Sequence, residues 1–223
     1  MSDTLEDDLT RRHVCLTEEV AMGAETVRLL KPQSADALIS EDDFVLDERL
    51  PYWADLWPSS RVLARTVAAE TGRGSTCLEL GCGLGLVTIG ALRAGYDVTA
   101  TDYYADALGF TRLNARRAVG REPRALLLDW RRLPPDLGTY DRVLAADVLY
   151  ERTYGPLVAG VIDRVLAPNG VATVADPGRI AAEVFVRACD ALGLRLTRNP
   201  VESLTDGTIT HRVTLYELRR AAA

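Results

Sequence analysis

The chain has 223 residues and a mass of 24.3 kDa, with 48% hydrophobic and 26% charged residues. That balance belongs to an ordinary folded chain of one or two domains and excludes disordered, collagenous and coiled-coil readings. A net charge of −6 argues against a general nucleic-acid coat, and no apolar run approaches the roughly 18 residues that a membrane-spanning helix needs.

The start of the chain (Asp3, Glu6, Asp7, Asp8) is acidic where a secretory signal would be basic and then apolar. The four cysteines, Cys15, Cys77, Cys82 and Cys189, show no CxxC spacing, so reduced thiols in a cytoplasmic protein are expected. With His13 and His211 the only histidines, a zinc site has almost nothing to be built from. Of the 26 basic residues 25 are arginine, and Lys31 is the single lysine, so the chain offers almost no lysine of its own for modification.

In chain order, residues 1–12 read as a frayed polar leader. Two β-prone stretches, 13–20 and 25–31, flank Met22-Gly23-Ala24 and predict a short hairpin. Residues 34–50 are mixed and acidic, so 1–50 is taken as an extension and 51–223 as the main domain. An aromatic cluster, PYWADLWP from Pro51 to Pro58, precedes a predicted helix from about Ser60 to Glu70.

From Thr76 the pattern is regular: CLEL, then a helix over 86–94; DVTATD, then 105–118; RALLLD, then a proline-rich loop; RVLAAD, then 156–166; GVATVAD, then 180–192. Near-continuous apolar strands such as Ala125–Leu128 and Val143–Ala146 predict burial on both faces, as in a parallel sheet. The helix over 156–166 carries a one-sided stripe through Leu157, Val158, Val161, Ile162, Val165 and Leu166. Alternation of this kind means βαβ units with right-handed crossovers. Leu194–Pro200 and Thr210–Leu218 read as strands parted only by a turn-rich stretch over Ser203–Gly207, so that last pair must be antiparallel. The expected fold is α/β, Rossmann-like: a seven-stranded, mostly parallel sheet with helices on both faces and a C-terminal antiparallel hairpin.

The sharpest local signal is Glu79-Leu80-Gly81-Cys82-Gly83-Leu84-Gly85, between the first parallel strand and its helix. Glycines there allow close backbone approach, and the helix N-terminus beyond them offers unpaired N–H groups to an anion. Gly81, Gly83 and Gly85 follow a GxGxG spacing and not the GxGxxG of a dinucleotide binder, and Glu79 sits two positions before the first of them. Asp102, 17 residues after Gly85 at the end of the next strand, is placed to accept two ribose hydroxyls, with Tyr103 as a ribose neighbour. Asp129-Trp130 after the third strand offers an acceptor for an adenine amino group beside an aromatic face. All of these fall over the carboxyl ends of strands, where such sheets bind ligands. Plainer readings stay open: Asp102 as the N-cap of the following helix, Trp53 and Trp57 as plugs of the sheet's open end, and Trp130 as a packed aromatic with no ligand.

From about Pro51 to Leu218 the chain resembles the seven-stranded S-adenosylmethionine-dependent methyltransferases, on ELGCGLG, the Asp102 strand end and the 129–130 pair. Within them, PYWADLWP and Asp147-Val148-Leu149-Tyr150 look like methyltransferase family 16, many of whose members methylate protein lysines. Asp176-Pro177-Gly178-Arg179, after an LTEE–LLKP segment, is similar to the branch acting on the electron-transfer flavoprotein β subunit.

The resemblance implies S-adenosylmethionine as cofactor, S-adenosylhomocysteine as product and a protein substrate. Trp57 stands next to the cationic donor, whose charge favours an aromatic face. Ala146, at the end of the fourth strand, joins the cofactor set. Asp147 and Tyr150 are expected to orient the incoming amine, with Tyr150 as an aromatic wall; the alternative for Asp147 is a helix cap. Arg179 would pair with an acidic substrate patch or with Asp176. A small-molecule methyltransferase with the same cofactor site, or a non-catalytic cofactor-binding interaction protein, are the competing readings. Family members acting on nucleic-acid bases carry an Asn/Asp-Pro-Pro-aromatic run where this chain has Asp147-Val148-Leu149-Tyr150, which lowers base methylation among the candidates.

Overall fold

A computed structural model describes residues 4–35, 38, 51–206 and 209–221. The chain begins with helix α1 (Thr4–Arg12), where a frayed leader was expected. Its Leu9 is fully buried against Leu30, Leu84, Phe110 and Leu113, with Leu5 one turn earlier on the same face. At the helix end, Arg12 and His13 both bond to Asp106, His13 Nε2 lying 2.7 Å from Asp106 Oδ2, and Arg117 pairs with Glu6. Two leucines one turn apart, two ion pairs and the His13–Asp106 hydrogen bond hold a segment whose composition alone reads as solvated.

Strands β1 (Cys15–Met22) and β2 (Glu25–Pro32) form the expected hairpin, with Gly23 at φ +69 in its two-residue turn. Its inward residues Val20, Met22, Val27 and Leu29 join the core described below. Lys31 is 9% exposed, and its Nζ lies 2.9 Å from Asp55 Oδ1 and 3.8 Å from Glu18 Oε2, tying the hairpin to the segment that follows Pro51. The acidic loop expected over 34–50 lies, apart from residues 34, 35 and 38, outside the described residues.

Residues Tyr52–Ala54 make one 3₁₀ turn. Helix α2 (Pro58–Ala68) then starts with proline at its first position, where the missing N–H costs nothing. The alternating region follows: β3 (Thr76–Leu80), α3 (Leu86–Arg93), β4 (Asp97–Asp102), α4 (Ala105–Val119), β5 (Arg124–Leu127), β6 (Tyr140–Ala146), α5 (Tyr154–Val165), β7 (Leu166–Asp176) and α6 (Ala182–Ala191). The chain closes with β8 (Leu194–Asp206) and β9 (Ile209–Arg220).

The seven strands from β3 onward lie in the order β5-β4-β3-β6-β7-β9-β8, the first five parallel and β9 antiparallel to both its neighbours. Strand alternation splits the core into two layers. Leu78, Leu80, Val143 and Ala145 face Val158 and Ile162 of α5 and Phe185 of α6. Cys77, Leu144 and Ala175 face the other way, toward Val62 and Leu63 of α2, Ile89 of α3 and the hairpin.

Two expectations fail at the sheet edges. The apolar run at 125–128 is not buried on both faces, because β5 is an edge strand and Leu127 is 56% exposed; only Leu128, just past the strand, is fully covered. The stretch 203–206 is not a turn, because β8 runs through it after a register shift between Asn199 and Glu202. Pro200, which has no N–H to give a ladder, sits at that irregularity on an edge strand, where proline is tolerated.

Candidate active site

The strand order reverses between β3 and β6, and the carboxyl ends of β3, β4 and β6 open there into a cleft of about 1120 Å³, part of it continuous with solvent. The glycine loop forms its floor. Gly81 and Gly83 line the cleft; Gly85 does not, and caps α3 from behind. A Cβ on Gly85, at φ +84, would lie 2.9 Å from the Thr111 Cα of α4, and one on Gly83 would lie 3.1 Å from the Trp53 carbonyl oxygen. The glycines are therefore demanded by close packing of the chain on itself as well as by left-handed backbone. Leu86 and Val87, in the first turn of α3, also border the cleft, so the unpaired N–H groups at that helix start face it.

One carboxylate comes from each of the first three strand ends. Glu79 is 2% exposed and accepts a hydrogen bond from the Thr88 hydroxyl. Burial, reinforced by the charge of Asp102, pushes its carboxyl up to about 8. Asp102 Oδ2 accepts the Gly83 N–H at 3.0 Å and Oδ1 the Tyr104 N–H at 3.0 Å. Burial raises its carboxyl too, and these backbone donors partly offset the rise. The N-cap of α4 is Tyr104 and not Asp102, whose bond to Tyr104 is a local turn that aims the carboxylate at the cleft. With Tyr103 a third backbone donor to it, the carboxylate keeps part of its acceptor capacity for a ligand hydroxyl. Asp129 Oδ1 accepts the Arg131 N–H at 3.0 Å, and Trp130 beside it lies edge-on to Tyr154 at 5.7 Å and close to Gly81.

The fourth strand end carries the other half of the cleft. After Ala146, Asp147 adopts φ +60, rare for a residue with a side chain but least so for Asp and Asn, and its N–H donates to the Ala175 carbonyl at 2.9 Å. Its carboxylate does not cap α5, whose N-cap is Thr153. Instead Oδ1 accepts from Arg179 Nε at 2.6 Å, while Oδ2 is buried without a partner among the described residues. Tyr150 meets Tyr52 at 4.9 Å and Tyr154 at 5.0 Å, both edge-to-face, and burial drives its phenol far above the ordinary range, so it stays protonated. Trp57 donates its indole N–H to the Tyr52 carbonyl at 2.9 Å. The Arg179 guanidinium lies 4.9 Å from its ring centroid, so the cation on that ring is the chain's own.

Every expected site residue except Gly85 and Arg179 borders the cleft: Trp57, Glu79, Gly81, Gly83, Asp102, Tyr103, Asp129, Trp130, Ala146, Asp147 and Tyr150. Trp53 both lines it and packs on Phe110 at 5.7 Å. Arg179 uses its side chain on Asp147 and its backbone N–H on Asp176. Reasoning from sequence passed over Tyr52, Asp55 and Tyr154, which also border the cleft. Tyr52 and Asp55 stand inside PYWADLWP, which was the available signal; Tyr154 gave none.

A sheet of this order with a cleft at its switch point, lined by carboxylates from successive strand ends, defines the Rossmann-like methyltransferase architecture. The N-methyltransferase NodS from Bradyrhizobium japonicum WM9, solved with S-adenosylhomocysteine, superposes with a TM-score of 0.57 at 17% identity over 85% of this chain and 98% of that one. The profile of the lysine methyltransferase family matches residues 53–187, which hold most of the cleft, and the chain belongs to that family. It is 36% identical over 122 residues to EEF1A lysine methyltransferase 3 of Mus musculus, covering 52% of this chain and 51% of the relative. It is 33% identical over 112 residues to protein N-lysine methyltransferase METTL21A of Xenopus tropicalis, covering 47% and 52%. The chain thus spans about half the length of the curated relatives it matches.

Proposed function

We propose that this protein is an S-adenosylmethionine-dependent methyltransferase whose acceptor is a lysine amine of a protein substrate. One observation carries the reading: a single cleft joins an acidic half, one carboxylate from each of β3, β4 and the β5 end, to an aromatic half holding a buried carboxylate oxygen with no partner. The acidic half fits the cofactor's chemistry. Asp102 keeps acceptor capacity for a ribose hydroxyl, Asp129 and Trp130 suit an adenine, and Glu79 with the start of α3 suits the amino and carboxylate ends of a methionine moiety. When bound, S-adenosylmethionine supplies an electrophilic methyl group on a sulfonium.

The chain's own work is alignment and exclusion of water, and alignment lowers such a barrier by about 7–11 kcal/mol. Asp147 lines the cleft, its buried Oδ2 is the acceptor that an entering amine would have to uncover, and Tyr150, Tyr52 and Trp57 wall the approach. Residues 51–223 are the catalytic unit in this reading, and 1–50 an extension that helps select the partner. Four free thiols support a reducing, cytoplasmic setting. No helix among the described residues is long and apolar enough to cross a membrane.

The test incubates the purified protein with methyl-labelled S-adenosylmethionine and a dialysed protein extract, then hydrolyses the protein and looks for labelled methyllysine. Labelled methyllysine, lost with Asp102→Ala, supports the reading. Label confined to small molecules added back to the extract moves the acceptor to the metabolite class. Calorimetry with S-adenosylmethionine, S-adenosylhomocysteine and NAD checks the cofactor directly: NAD binding alone would refute it.

A further inference from the structure

Three side chains from three elements meet at the acceptor side of the cleft, Asp147 and Trp57 in its lining and Arg179 beside them outside it. Asp147 follows β6, Arg179 follows β7 and Trp57 precedes α2. Arg179 Nε donates to Asp147 Oδ1 at 2.6 Å, and the guanidinium lies over the Trp57 ring at 4.9 Å. The turn that launches Arg179 is fixed by Asp176 Oδ2, which accepts the N–H groups of Gly178 at 2.7 Å and Arg179 at 2.9 Å. The Asp147 side chain is 2% exposed, and its Oδ2 has no partner among the described residues.

A carboxylate beside an aromatic face is a seat for a cation. An unpaired buried carboxylate there would hold an entering lysine as its ammonium form, which has no lone pair with which to attack. Arg179 already compensates the Asp147 charge through Oδ1 and leaves Oδ2 as a hydrogen-bond acceptor. With that charge compensated, the nearest carboxylate no longer holds the ammonium form, and burial favours the neutral amine.

We propose that Arg179 is a positioning residue of the acceptor seat: by pairing with Asp147 it makes the seat select the neutral amine over the ammonium, whose proton goes to bulk water on entry. The inference rests on the lysine-acceptor reading above. The other titratable groups bordering this corner are Asp176 from β7, Tyr150 and Glu151 from the segment after β6, Tyr154 from α5, Tyr52 and Asp55 from the stretch before α2, and Glu79 and Asp102 from β3 and β4. They are common to wild type and to variants at 179, so a comparison among these chains isolates the arginine.

The probe is n-butylamine, whose amine titrates near the lysine value of about 10.4. It is titrated into the full chain with S-adenosylhomocysteine present, at pH 7.5 and 9.5, and followed by tryptophan fluorescence. A seat that takes only the neutral form gains apparent affinity about 100-fold over that interval, because the neutral fraction rises by about that factor. Wild type and Arg179→Lys should show the gain, and Arg179→Gln, left with an uncompensated carboxylate, should bind with little change. A flat wild type, or an Arg179→Gln chain that gains as steeply as wild type, overturns the inference. No fluorescence response from wild type at either pH, with labelled methyllysine still formed in the extract, overturns this inference alone. No response and no labelled methyllysine overturn both.

Discussion

Asp147 combines a left-handed backbone, an ion pair through one oxygen and an unpartnered second oxygen. A side-chain-bearing residue in that conformation costs of the order of 1–3 kcal/mol and persists only where its surroundings hold it. Asn tolerates the same backbone, so Asp147→Asn should fold while losing the carboxylate. Turnover should then fall by about 100-fold or more, as for loss of a group that positions a reacting amine, with S-adenosylhomocysteine affinity nearly unchanged. Parallel kinetics and calorimetry separate the two, and an unchanged rate would remove Asp147 from the chemistry.

Glu79 makes a different prediction. With its carboxyl raised to about 8, it is protonated at neutral pH, and a cationic ligand favours the ionised form. Binding of S-adenosylmethionine should therefore release a proton below about pH 8 and tighten as pH rises toward that value. Calorimetry in two buffers of different ionisation heat reads the proton, and Glu79→Gln should abolish its release. Glu79, Asp102 and Asp129 were legible in the sequence because each closes an apolar strand. The Asp147–Arg179 pair was not, because its partners stand 32 residues apart and meet only through the side-by-side register of β6 and β7.

Among the elements, the helices and strands from Thr76 onward were legible because burial on both faces of a parallel sheet leaves continuous apolar runs. The edge strand β5 carries the same kind of run without that burial, since sequence records composition and not the place of a strand in the sheet. Helix α1 was illegible for the opposite reason: nine residues are too few to be helical alone, and its stability comes from docking Leu9. Leu9→Ala should loosen α1, costing about 2–5 kcal/mol of local stability and raising amide exchange in residues 4–12 well above that of α3. Packing of α2 on α3 gives a second test. Gly→Ala within a helix ordinarily adds up to about 1 kcal/mol. At Gly90 the new Cβ would lie 2.5 Å from the Ala64 backbone oxygen, which no rotamer can relieve. Gly90→Ala should lower stability by about 1–3 kcal/mol in urea denaturation.

For the whole molecule, acidic groups at opposite ends of the sheet work against each other with pH. Near the amino ends of the strands, burial pushes Glu70 up, but two hydrogen bonds from Arg142 and one from the Tyr96 hydroxyl outweigh it and hold its carboxyl low. That contribution is present above the unfolded carboxyl value and is lost as pH falls through the folded one. At the carboxyl ends Glu79, Asp102 and Asp176 are all raised by burial. Their contribution is full below the unfolded value and is lost as pH climbs toward the folded one, about 8 for Glu79. The protein should melt at a higher temperature near about pH 6 than near pH 8, and Glu79→Gln should narrow that gap.

The ion pairs that bury Lys31 against Asp55 and Glu18 have a practical reach. Since no other lysine exists in the sequence, the protein is nearly silent to lysine-directed proteomics. A lysine-specific protease has a single, shielded place to cut it, and amine-reactive tags find little on its side chains. A methyllysine peptide recovered from an incubation can be traced to the other participant without subtracting an enzyme background.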